Sequence, residues 1–329
     1  MRVLVTGATG FIGSSIVREL LTQGYQVRVL VREQSTTRNL DGLNIEVAYG
    51  DITNADSLGP ALQGCSRLFH SAALYSFWVK ERALLYKINV DGTRNVLQAA
   101  KEAGIDRVVY TSSVAALAVP VGKRPTTEET PVDFTQIVGD YKKSKYYAEQ
   151  VALEYARAGL PVVIVNPSFP VGPRDIKPTP TGQTILDFLN RKLPAYIETG
   201  MNVVDVEDVA VGHLLAAERG KIGQRYILGG TDMTMGQLLQ TLSEITGLPA
   251  PRVKLPYLPI LGLSYLNAAF CRLTRATPRM TPETIRMSRH YMYYDPTKAI
   301  YELGLPQTQP KAALEKAVNW FQDNGYINA

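Results

Sequence analysis

The sequence contains little cysteine and little histidine. Among its 329 residues are two cysteines and three histidines. Cys65 and Cys271 lie far apart, and neither they nor the lone histidines His70 and His213 stand at a metal-ligand spacing. This scarcity argues against a disulfide framework and a bound metal ion, and it is typical of a protein from a reducing compartment. We therefore predict that His70 and His213 are core histidines rather than ligands.

A long hydrophobic run is also missing. The longest uncharged stretch, residues 255–271, contains two prolines and is short for a membrane-spanning helix. A strand-like run begins at Arg2, which leaves no room for the charged and apolar parts of a signal peptide. The net charge of +5 is mild. We therefore expect a cytoplasmic protein that does not bind nucleic acid.

The positive charge is concentrated in one segment. Residues 251–290 hold seven cations and one anion, which makes +6 and leaves about −1 for the rest of the chain. The cations are Arg252, Lys254, Arg272, Arg275, Arg279, Arg286 and Arg289, and the anion is Glu283. The uncharged run lies inside this segment. The pattern fits a surface in the headgroup region of an anionic membrane, a lid over an apolar or phosphorylated substrate, or a core helix with basic flanks.

Short β-branched runs alternate with amphipathic helical patterns through the first half of the chain. RVLVT is followed by FIGSSIVRELLTQG, and the alternation continues to PVVIVNPS. This order predicts an α/β fold with a doubly wound parallel sheet of the Rossmann type. A Pro- and Gly-rich stretch after Asn166 leads into helical patterns with few strands. We predict a dinucleotide-binding domain over residues 1–170. A smaller, mostly helical substrate-binding region is expected over residues 171–329, part of which returns to the sheet.

Three glycines lie between the first strand and the first helix. Gly7, Gly10 and Gly13 form the pattern G-x-x-G-x-x-G in VTGATGFIG. Glycine lets the backbone turn sharply and approach a pyrophosphate, to which a helix amino end offers free N–H groups and a positive dipole. Because the triplet stands directly after a strand and before an amphipathic helix, it predicts dinucleotide binding rather than a plain turn.

The end of the second strand indicates which cofactor binds. An acidic residue there accepts from the adenosine ribose of NAD, whereas an arginine favours the 2′-phosphate of NADP. QVRVLVREQ places Val31 where the acid usually stands and Arg32 next to it, with Arg38 in the following loop. Two guanidiniums can grip a phosphate, although Glu33 is also placed to reach a ribose hydroxyl. The pattern favours NADP over NAD.

Tyr141 and Lys145 are one helical turn apart in GDYKKSKYYAEQ. Both side chains should share a helix face, so the ammonium is expected to lower the pKa of the phenol and fit it for proton transfer to a carbonyl. Ser112 and Ser113 end the strand RVVYTSS, at the edge where open α/β sheets bind ligands. A hydroxyl at that edge can hold a substrate oxygen. These residues predict a site for carbonyl–alcohol interconversion.

The same spacing recurs at Tyr294 and Lys298. Pro296 lies between them and marks a helix start, so Tyr294 falls outside the helix and no shared face forms. Neither a glycine loop nor a serine-ended strand precedes this pair at a suitable distance. We predict that the second pair is an accident in a chain with 18 tyrosines.

TGATGFIG, the serine pair and YKKSK together resemble the extended short-chain dehydrogenase/reductases, the NAD-dependent epimerase/dehydratase family. The resemblance covers essentially the whole chain. It implies that Tyr141 is the acid/base, that Lys145 also binds the nicotinamide ribose, that Ser113 orients the substrate and that Asn89 supports the site from a helix. YGDI, HSAA and NPSFPVGPRD resemble further cofactor-binding segments. With the two arginines, the predicted cofactor-binding residues are Gly7, Thr9, Gly10, Phe11, Ile12, Gly13, Arg32, Arg38, Asp51, Ile52, Ala72, Ala73, Ser112, Tyr141, Lys145, Pro167 and Ser168.

Two branches of this family resemble the chain most. VLVRE and YTSSV are similar to the dihydroflavonol reductase-like ketone reductases, and VVIVNPSFPVGPRDIKPTPTG to the branch called hopanoid-associated sugar epimerase. A dehydratase of this family needs an Asp-Glu pair beside the serine, where Val114 and Ala115 stand. A non-catalytic sensor would normally lack the Tyr or the Lys. The leading hypothesis is an NADPH-dependent ketone or aldehyde reductase. The alternative is an NAD(P)-dependent epimerase acting on a sugar or a hopanoid side chain.

The expected partner is a small carbonyl compound, and the hopanoid-associated resemblance favours a lipid-derived one. Tyr75, Phe77 and Trp78 follow the fourth strand, and they either line the substrate pocket or close the core. Asp208 is expected to cap a helix. The resemblance also implies a homodimer formed by two outward-facing helices. If residues 251–290 form a membrane surface rather than a lid or a core helix, they would give peripheral membrane contact.

Overall fold

The computed structural model describes residues 1–75, 81–274 and 281–327, without the side chains of Arg272, Leu273 and Glu283. The strands are β1 (Arg2–Thr6), β2 (Gln26–Val31), β3 (Glu46–Tyr49), β4 (Arg67–His70), β5 (Arg107–Thr111), β6 (Val162–Pro167), β7 (Phe169–Val171), β8 (Ala195–Tyr196), β9 (Gly200–Asp205), β10 (Arg225–Leu228), β11 (Thr231–Thr234), β12 (Val253–Lys254) and β13 (Tyr291–Met292). The helices are α1 (Phe11–Thr22), α2 (Leu58–Leu62), α3 (Arg82–Tyr86), α4 (Gly92–Glu102), α5 (Asp140–Arg157), α6 (Pro180–Leu189), α7 (Val206–Arg219), α8 (Met235–Thr246), α9 (Tyr257–Thr274), α10 (Pro282–Met287), α11 (Thr297–Leu303) and α12 (Pro310–Asp323).

Seven strands form one parallel sheet in the order β10-β6-β5-β4-β1-β2-β3. In the register of this sheet, Val5 of β1 lies opposite Val29 of β2 and Phe69 of β4. Every residue of β6 is buried, as expected for a strand covered on both faces. The predicted doubly wound sheet is thereby confirmed. Its strand order reverses at β1 and β4, and ligands of open α/β sheets bind at the carboxyl ends of such strands.

Helices cover both faces of this sheet. On one face α1, α7 and α11 pack against the strands, with Ile16 and Leu214 in the shared core. On the other face α2, α4 and α5 do so, with Leu58, Leu97 and Val151 in a second core. The apolar positions of each helix recur at helical spacing, which is why the sequence pattern locates these helices.

The second half of the chain contains more strands than expected. β9 is the centre of a small sheet that also contains β7, β11 and β13, and β8 pairs with β12. These strands are two to six residues long, too short for a reliable alternation signal. A third core joins this sheet to α6, α8 and α12. β10 and α7 belong to the large sheet and its cover, while the division at residue 170 stays a prediction.

Candidate active site

One cavity of about 580 Å³ opens at the carboxyl ends of β1, β2, β4, β5 and β6. Of the predicted catalytic and cofactor-binding residues, all but one line it. They are Gly7, Thr9, Gly10, Phe11, Ile12, Gly13, Arg32, Asp51, Ile52, Ala72, Ala73, Ser112, Ser113, Tyr141, Lys145, Pro167 and Ser168. The exception is Arg38. The structure therefore brings together motifs that are up to 160 residues apart in sequence, while their individual roles stay predictions.

The glycine loop leaves no room for side chains. Gly7 has φ of +72°, and a Cβ there would lie 2.6 Å from the backbone nitrogen of Ala72. A Cβ on Gly13 would lie 2.1 Å from the carbonyl oxygen of Gly7. α1 therefore begins tight against the end of β1, with no acidic residue in its first turn. Its free N–H groups face the cavity, an arrangement that suits a diphosphate.

The end of β2 presents cationic and hydroxyl groups to the cavity. Val31 is buried, Arg32 is exposed at the cavity edge, and Ser35 and Thr36 line the wall beside it. Glu33 is not among the lining residues that the structure describes. Among the described lining residues, no carboxylate stands directly at the end of β2.

Arg38 lies outside the cavity lining, and its part in cofactor binding stays a prediction. Its guanidinium donates to Asn324 Oδ1 at 3.2 Å, near the carboxyl end of the chain, and it does not line the cavity. The next residue, Asn39, is buried and donates to the carbonyls of Thr9 and Arg174. This segment therefore turns Asn39 inward and Arg38 outward. Sequence proximity to Arg32 did not reveal that turn.

Ser113 and Tyr141 meet in the cavity wall. Tyr141 is the second residue of α5, and its phenol is hydrogen-bonded to the side chain of Ser113. The Ser113 Oγ also accepts from the backbone N–H of Ala115 at 3.1 Å, which fixes the hydroxyl in place. The rings of Tyr141 and Tyr75 lie 4.7 Å apart, centroid to centroid.

Burial raises the pKa of Tyr141, and the hydrogen bond to Ser113 opposes this only in part. The expectation that the ammonium would lower this pKa is therefore wrong for the protein alone. Desolvation of the phenolate outweighs the other effects when the ring is enclosed. Tyr141 is consequently a protonated phenol at neutral pH, the form that a proton donor requires.

Lys145 lies behind Tyr141 and is almost completely buried. Its Nζ donates to the carbonyl of Thr111 at 2.9 Å and lies 3.5 Å from the hydroxyl of Tyr110. Burial lowers the pKa of Lys145 to about 8, and the carboxylate of Glu149 opposes this shift. The carbonyl of Thr111, at the end of β5, thus orients the ammonium of Lys145, whose pKa of about 8 is close to physiological pH.

Ser112 offers a polar atom that the protein leaves open. Its Oγ is buried, lines the cavity and has no hydrogen-bond partner among the described residues. Ser168, on the opposite wall, donates its hydroxyl to the carbonyl of Asn202. Because buried hydroxyls almost always find a partner, the open Ser112 hydroxyl fits a ligand with polar groups at this end of the cavity. A nicotinamide dinucleotide meets that description.

Asn89 supports the site from outside, as the resemblance implied. It lies in a π-helical turn, Lys87–Asp91, an element frequent at functional sites. Its amide donates to the carbonyl of Leu74 and to Ser144 Oγ, and its oxygen accepts from the Leu74 N–H. Ser144 in turn donates to the carbonyl of Tyr141. Asn89 therefore ties the loop after β4 to the first turn of α5.

His70 and His213 both belong to the core, as predicted. His70 contacts the hydroxyls of Thr6 and Thr93, and burial lowers its pKa to about 3. His213 contacts Thr111 Oγ1 and the carbonyl of Val209, and burial lowers its pKa to about 4. Both rings are therefore neutral. Among the described residues, no three His, Cys, Asp or Glu side chains form a group that could hold a metal ion.

The second Tyr–Lys pair does not form. α11 begins after Pro296, as predicted, and Lys298 contacts Glu129 and Gln224. Tyr294 is buried and borders the cavity, a position that the sequence pattern did not reveal. Its ring fills the wall and has no ammonium from Lys298 beside it.

Three further residues correct or extend the sequence analysis. Asp208 is structural but not a cap, since it accepts from the N–H and hydroxyl of Thr308, while Asp205 caps α7. Lys142 is buried against the cavity, and burial lowers its pKa to about 8. Asp175 also lines the cavity, and burial raises its pKa to about 6. It belongs to the segment NPSFPVGPRD, which resembles a cofactor-binding segment, so the sequence motif already indicated that Asp175 lies near the site. Phe77 and Trp78 lie outside the described residues.

A doubly wound sheet with a glycine loop, a Ser-Tyr-Lys arrangement and an open cavity at its switch point defines an NAD(P)-dependent enzyme of the Rossmann class. The profile of the NAD-dependent epimerase/dehydratase family matches residues 3–229. The chain belongs to this family, the extended short-chain dehydrogenase/reductases, so the family resemblance is confirmed.

Individual relatives cover nearly the whole chain. A Synechocystis protein named "Putative dihydroflavonol 4-reductase" is 50% identical over 98% of this chain and 95% of its own length. Sterol demethylase protein B of Methylococcus capsulatus is 40% identical over 99% of this chain and 100% of its own. The crystal structure of gox2253 is 47% identical, with a TM-score of 0.90 and 99% coverage of both chains. The chain is thus similar to reductase-like and sterol-modifying proteins at full length.

Proposed function

We infer that this protein reduces a ketone or aldehyde to an alcohol with NADPH. The observation that carries the proposal is the hydrogen bond between Ser113 and Tyr141 in the cavity wall, with the buried ammonium of Lys145 one helical turn along α5. A hydroxyl that holds a carbonyl oxygen and a phenol that donates a proton to it are what carbonyl reduction requires.

Each residue has a defined part in this reaction. The bound reduced nicotinamide supplies a hydride to the carbonyl carbon. Ser113 donates a hydrogen bond to the carbonyl oxygen, and Tyr141 transfers its proton to that oxygen as the C=O double bond becomes a single bond. Lys145 stabilises the resulting phenolate by its charge until a proton returns from solvent. The products are the alcohol and the oxidised cofactor.

The wall beside Ser113 argues against elimination chemistry. Val114 and Ala115 line the cavity there, and neither can remove a proton or protonate a leaving group. Epimerisation uses the same three catalytic groups. It differs from reduction in its net consumption of NADPH, because an epimerase oxidises its substrate and then reduces it again. That difference can be measured directly.

The end of β2 supports NADPH as the reductant. Arg32 is exposed at the cavity edge beside the hydroxyls of Ser35 and Thr36, and buried Val31 replaces the acid that would accept from the ribose of NAD. A guanidinium can bind a 2′-phosphate with two parallel hydrogen bonds. A carboxylate in the place of Val31 would instead repel that phosphate.

The cavity wall away from the cofactor end supports an apolar substrate. Phe169, Met287, Met292 and Tyr294 line it, and methionine side chains adapt to irregular apolar shapes. The relative named sterol demethylase protein B points in the same direction. We therefore propose a lipid-derived ketone as the substrate, and polycyclic and isoprenoid ketones are the compounds to test first.

The test is NADPH oxidation against a panel of ketones with the wild type, Tyr141→Phe and Tyr147→Phe. Loss of the proton donor should lower kcat/KM by about 100- to 10,000-fold. NADPH binding, followed by its fluorescence, should stay nearly unchanged. Tyr147→Phe makes the same change on the exposed side of α5, so it should retain activity. Turnover of a sugar or isoprenoid alcohol to its epimer without net NADPH consumption would replace this proposal by epimerisation.

A further inference from the structure

One side of α9 is apolar and open to solvent along its length. Leu258, Leu263, Leu266 and Phe270 expose 74, 53, 69 and 64% of their surface. At about 100° per residue these positions fall within one half of the helix circumference. The chain carries no charge from residue 255 to residue 271.

The other side of α9 packs against the protein. Ile260, Ser264 and Cys271 are buried, and α10 is the helix that α9 contacts most. An ordinary core helix would instead hide its apolar residues. Among the described residues α9 contributes none to the cavity wall, whereas Met287 of α10, in the same basic segment, does. The open face does not fit an ordinary core helix, while a lid and a membrane surface stay open for the segment as a whole.

The segment that contains the open apolar face is cationic. The Arg286 guanidinium of α10 contacts the ring and hydroxyl of Tyr265 on α9, and Arg289 and Arg252 are exposed. Lys254 is neutralised by Glu198 at 2.7 Å. The side chain of Arg272 and all of Arg275 and Arg279 lie outside the described residues, but they contribute to the segment's charge of +6.

We propose that α9 docks this protein on an anionic membrane surface, with its open face in the headgroup layer. Apolar side chains enter the boundary of the acyl chains, and flanking arginines attract acidic headgroups. No helix of the described residues is long and apolar enough to cross a membrane, so the contact is peripheral.

The charge selects this partner over a second copy of the chain. Two copies that joined through α9 would bring two segments of +6 together, and like charges across an interface oppose association. An anionic lipid surface has the opposite sign and can cover the apolar face as well. Monomeric soluble proteins rarely leave contiguous apolar patches without a functional reason.

Docking through α9 would bring the cavity close to the lipid. α10 packs on α9, and Met287 at the end of α10 lines the cavity wall. An apolar substrate leaving the membrane would therefore have a short path to Tyr141. The docking itself does not depend on which reaction the site performs.

The experiment is flotation of the full-length protein with two kinds of vesicle. One contains phosphatidylcholine with phosphatidylglycerol, and the other phosphatidylcholine alone. The protein should float with the anionic vesicles at low salt and much less with the neutral ones. Near 1 M salt, where the Debye length is about 3 Å, binding should weaken because screening acts on exposed charge.

Two variants separate the apolar and the charged contributions. Leu258→Gln with Leu266→Gln and Phe270→Gln should weaken binding by about 100-fold or more, since three exposed apolar side chains no longer enter the lipid. Arg286→Gln with Arg289→Gln should weaken it by about ten- to thirtyfold and reduce its salt dependence. Ile222→Gln with Tyr301→Gln is the matched control, because both residues are exposed apolar positions on other elements.

Unchanged melting temperature and NADPH binding show that a variant is folded. A wild type that stays free of anionic vesicles at low salt would overturn the proposal. So would apolar and control variants that bind equally well. Self-association in sedimentation that the triple glutamine variant abolishes, without vesicle binding by the wild type, would assign the face to a second copy instead. Flotation measures membrane binding and not catalysis. A failed reductase assay would therefore leave the result of this test unchanged.

Discussion

Replacing Lys145 by Met should raise stability near neutral pH while it removes activity. Lys145 is 3% exposed, and its ammonium is enclosed by β5 and α5. Burial lowers its pKa from 10.5 to about 8. Because a buried cation is disfavoured relative to the same cation in water, the folded state is destabilised wherever Lys145 is charged. Met has a similar length and no charge, so the variant escapes this penalty.

The pKa gives the size of the effect. Folded Lys145 titrates about 2.5 pH units below 10.5 (10.5 minus 8), and each unit corresponds to about 1.4 kcal/mol, so the penalty is about 3 kcal/mol. The variant also loses the hydrogen bond to the Thr111 carbonyl, worth about 1–2 kcal/mol. A net stabilisation of about 1–2 kcal/mol remains at pH 7. For a chain of 329 residues that corresponds to a rise in Tm of about 1.5–3 °C.

The pH dependence is the sharper test. Below pH 8 the lysine is charged in both folded and unfolded chains, and the full penalty is present. Between pH 8 and 10.5 the unfolded chain binds the proton and the folded chain does not, so the wild type gains stability as pH rises. The free energy of unfolding of the wild type, relative to Lys145→Met, should therefore rise by about 3 kcal/mol from pH 7 to above pH 10.

Urea unfolding at a series of pH values measures this difference directly. Lys101→Met is the control, because it removes the charge of an exposed lysine of α4. For this control, the difference in the free energy of unfolding from the wild type should show no comparable change with pH. In the same buffers kcat/KM for reduction by the wild type should fall above about pH 8, as the ammonium that supports Tyr141 loses its proton. A variant less stable than the wild type at pH 7, with a difference that does not change with pH, would refute the account of Lys145 as a destabilised cation.

Two further predictions concern the cofactor. Val31→Asp with Arg32→Asn should reverse the preference from NADPH to NADH, by about ten- to a hundredfold for each charge-assisted contact exchanged. Tighter binding of NADH than of NADPH by the wild type would contradict the proposal of NADPH as the cofactor. Gly13→Ala should abolish tight NADPH binding, because its Cβ would lie 2.1 Å from the Gly7 carbonyl oxygen. Gly59→Ala, where a Cβ meets nothing within 4 Å, should bind NADPH normally, and equal titration curves for the two variants would refute the packing argument.

The parts of the site that the sequence predicts depend on local geometry. A glycine triplet between a strand and a helix has few conformations, and Gly7 and Gly13 occupy positions that only glycine fits. Tyr141 and Lys145 lie on one continuous helix, so their common face follows from helical spacing alone. Ser113 follows the buried strand β5 by two residues, and the neighbours of that strand are determined by its hydrophobic pattern. In each case local structure determines position.

The parts that the sequence does not reveal depend on contacts between distant segments. Arg38 is turned away from the cavity by Asn324, which lies 286 residues further along the chain. The raised pKa of Tyr141 results from enclosure by the folded chain, and i,i+4 spacing carries no information about enclosure. The open face of α9 is a third case, because a helix that is apolar all round does not reveal which side meets the protein.

Two buried polar atoms in the cavity wall have no hydrogen-bond partner among the described residues. Native proteins leave few buried polar atoms unpaired, because each such atom lacks the hydrogen bonds that water would provide. Among the described residues, Ser112 Oγ and Asp175 Oδ1 are buried in this way and line the cavity, where the charge of Lys145 is itself disfavoured by burial. A folded chain selected only for stability would replace such groups by apolar ones. Their presence in the cavity lining therefore suits a ligand with polar groups, and the apolar lining residues Phe169, Met287 and Met292 suit a ligand that also carries hydrocarbon.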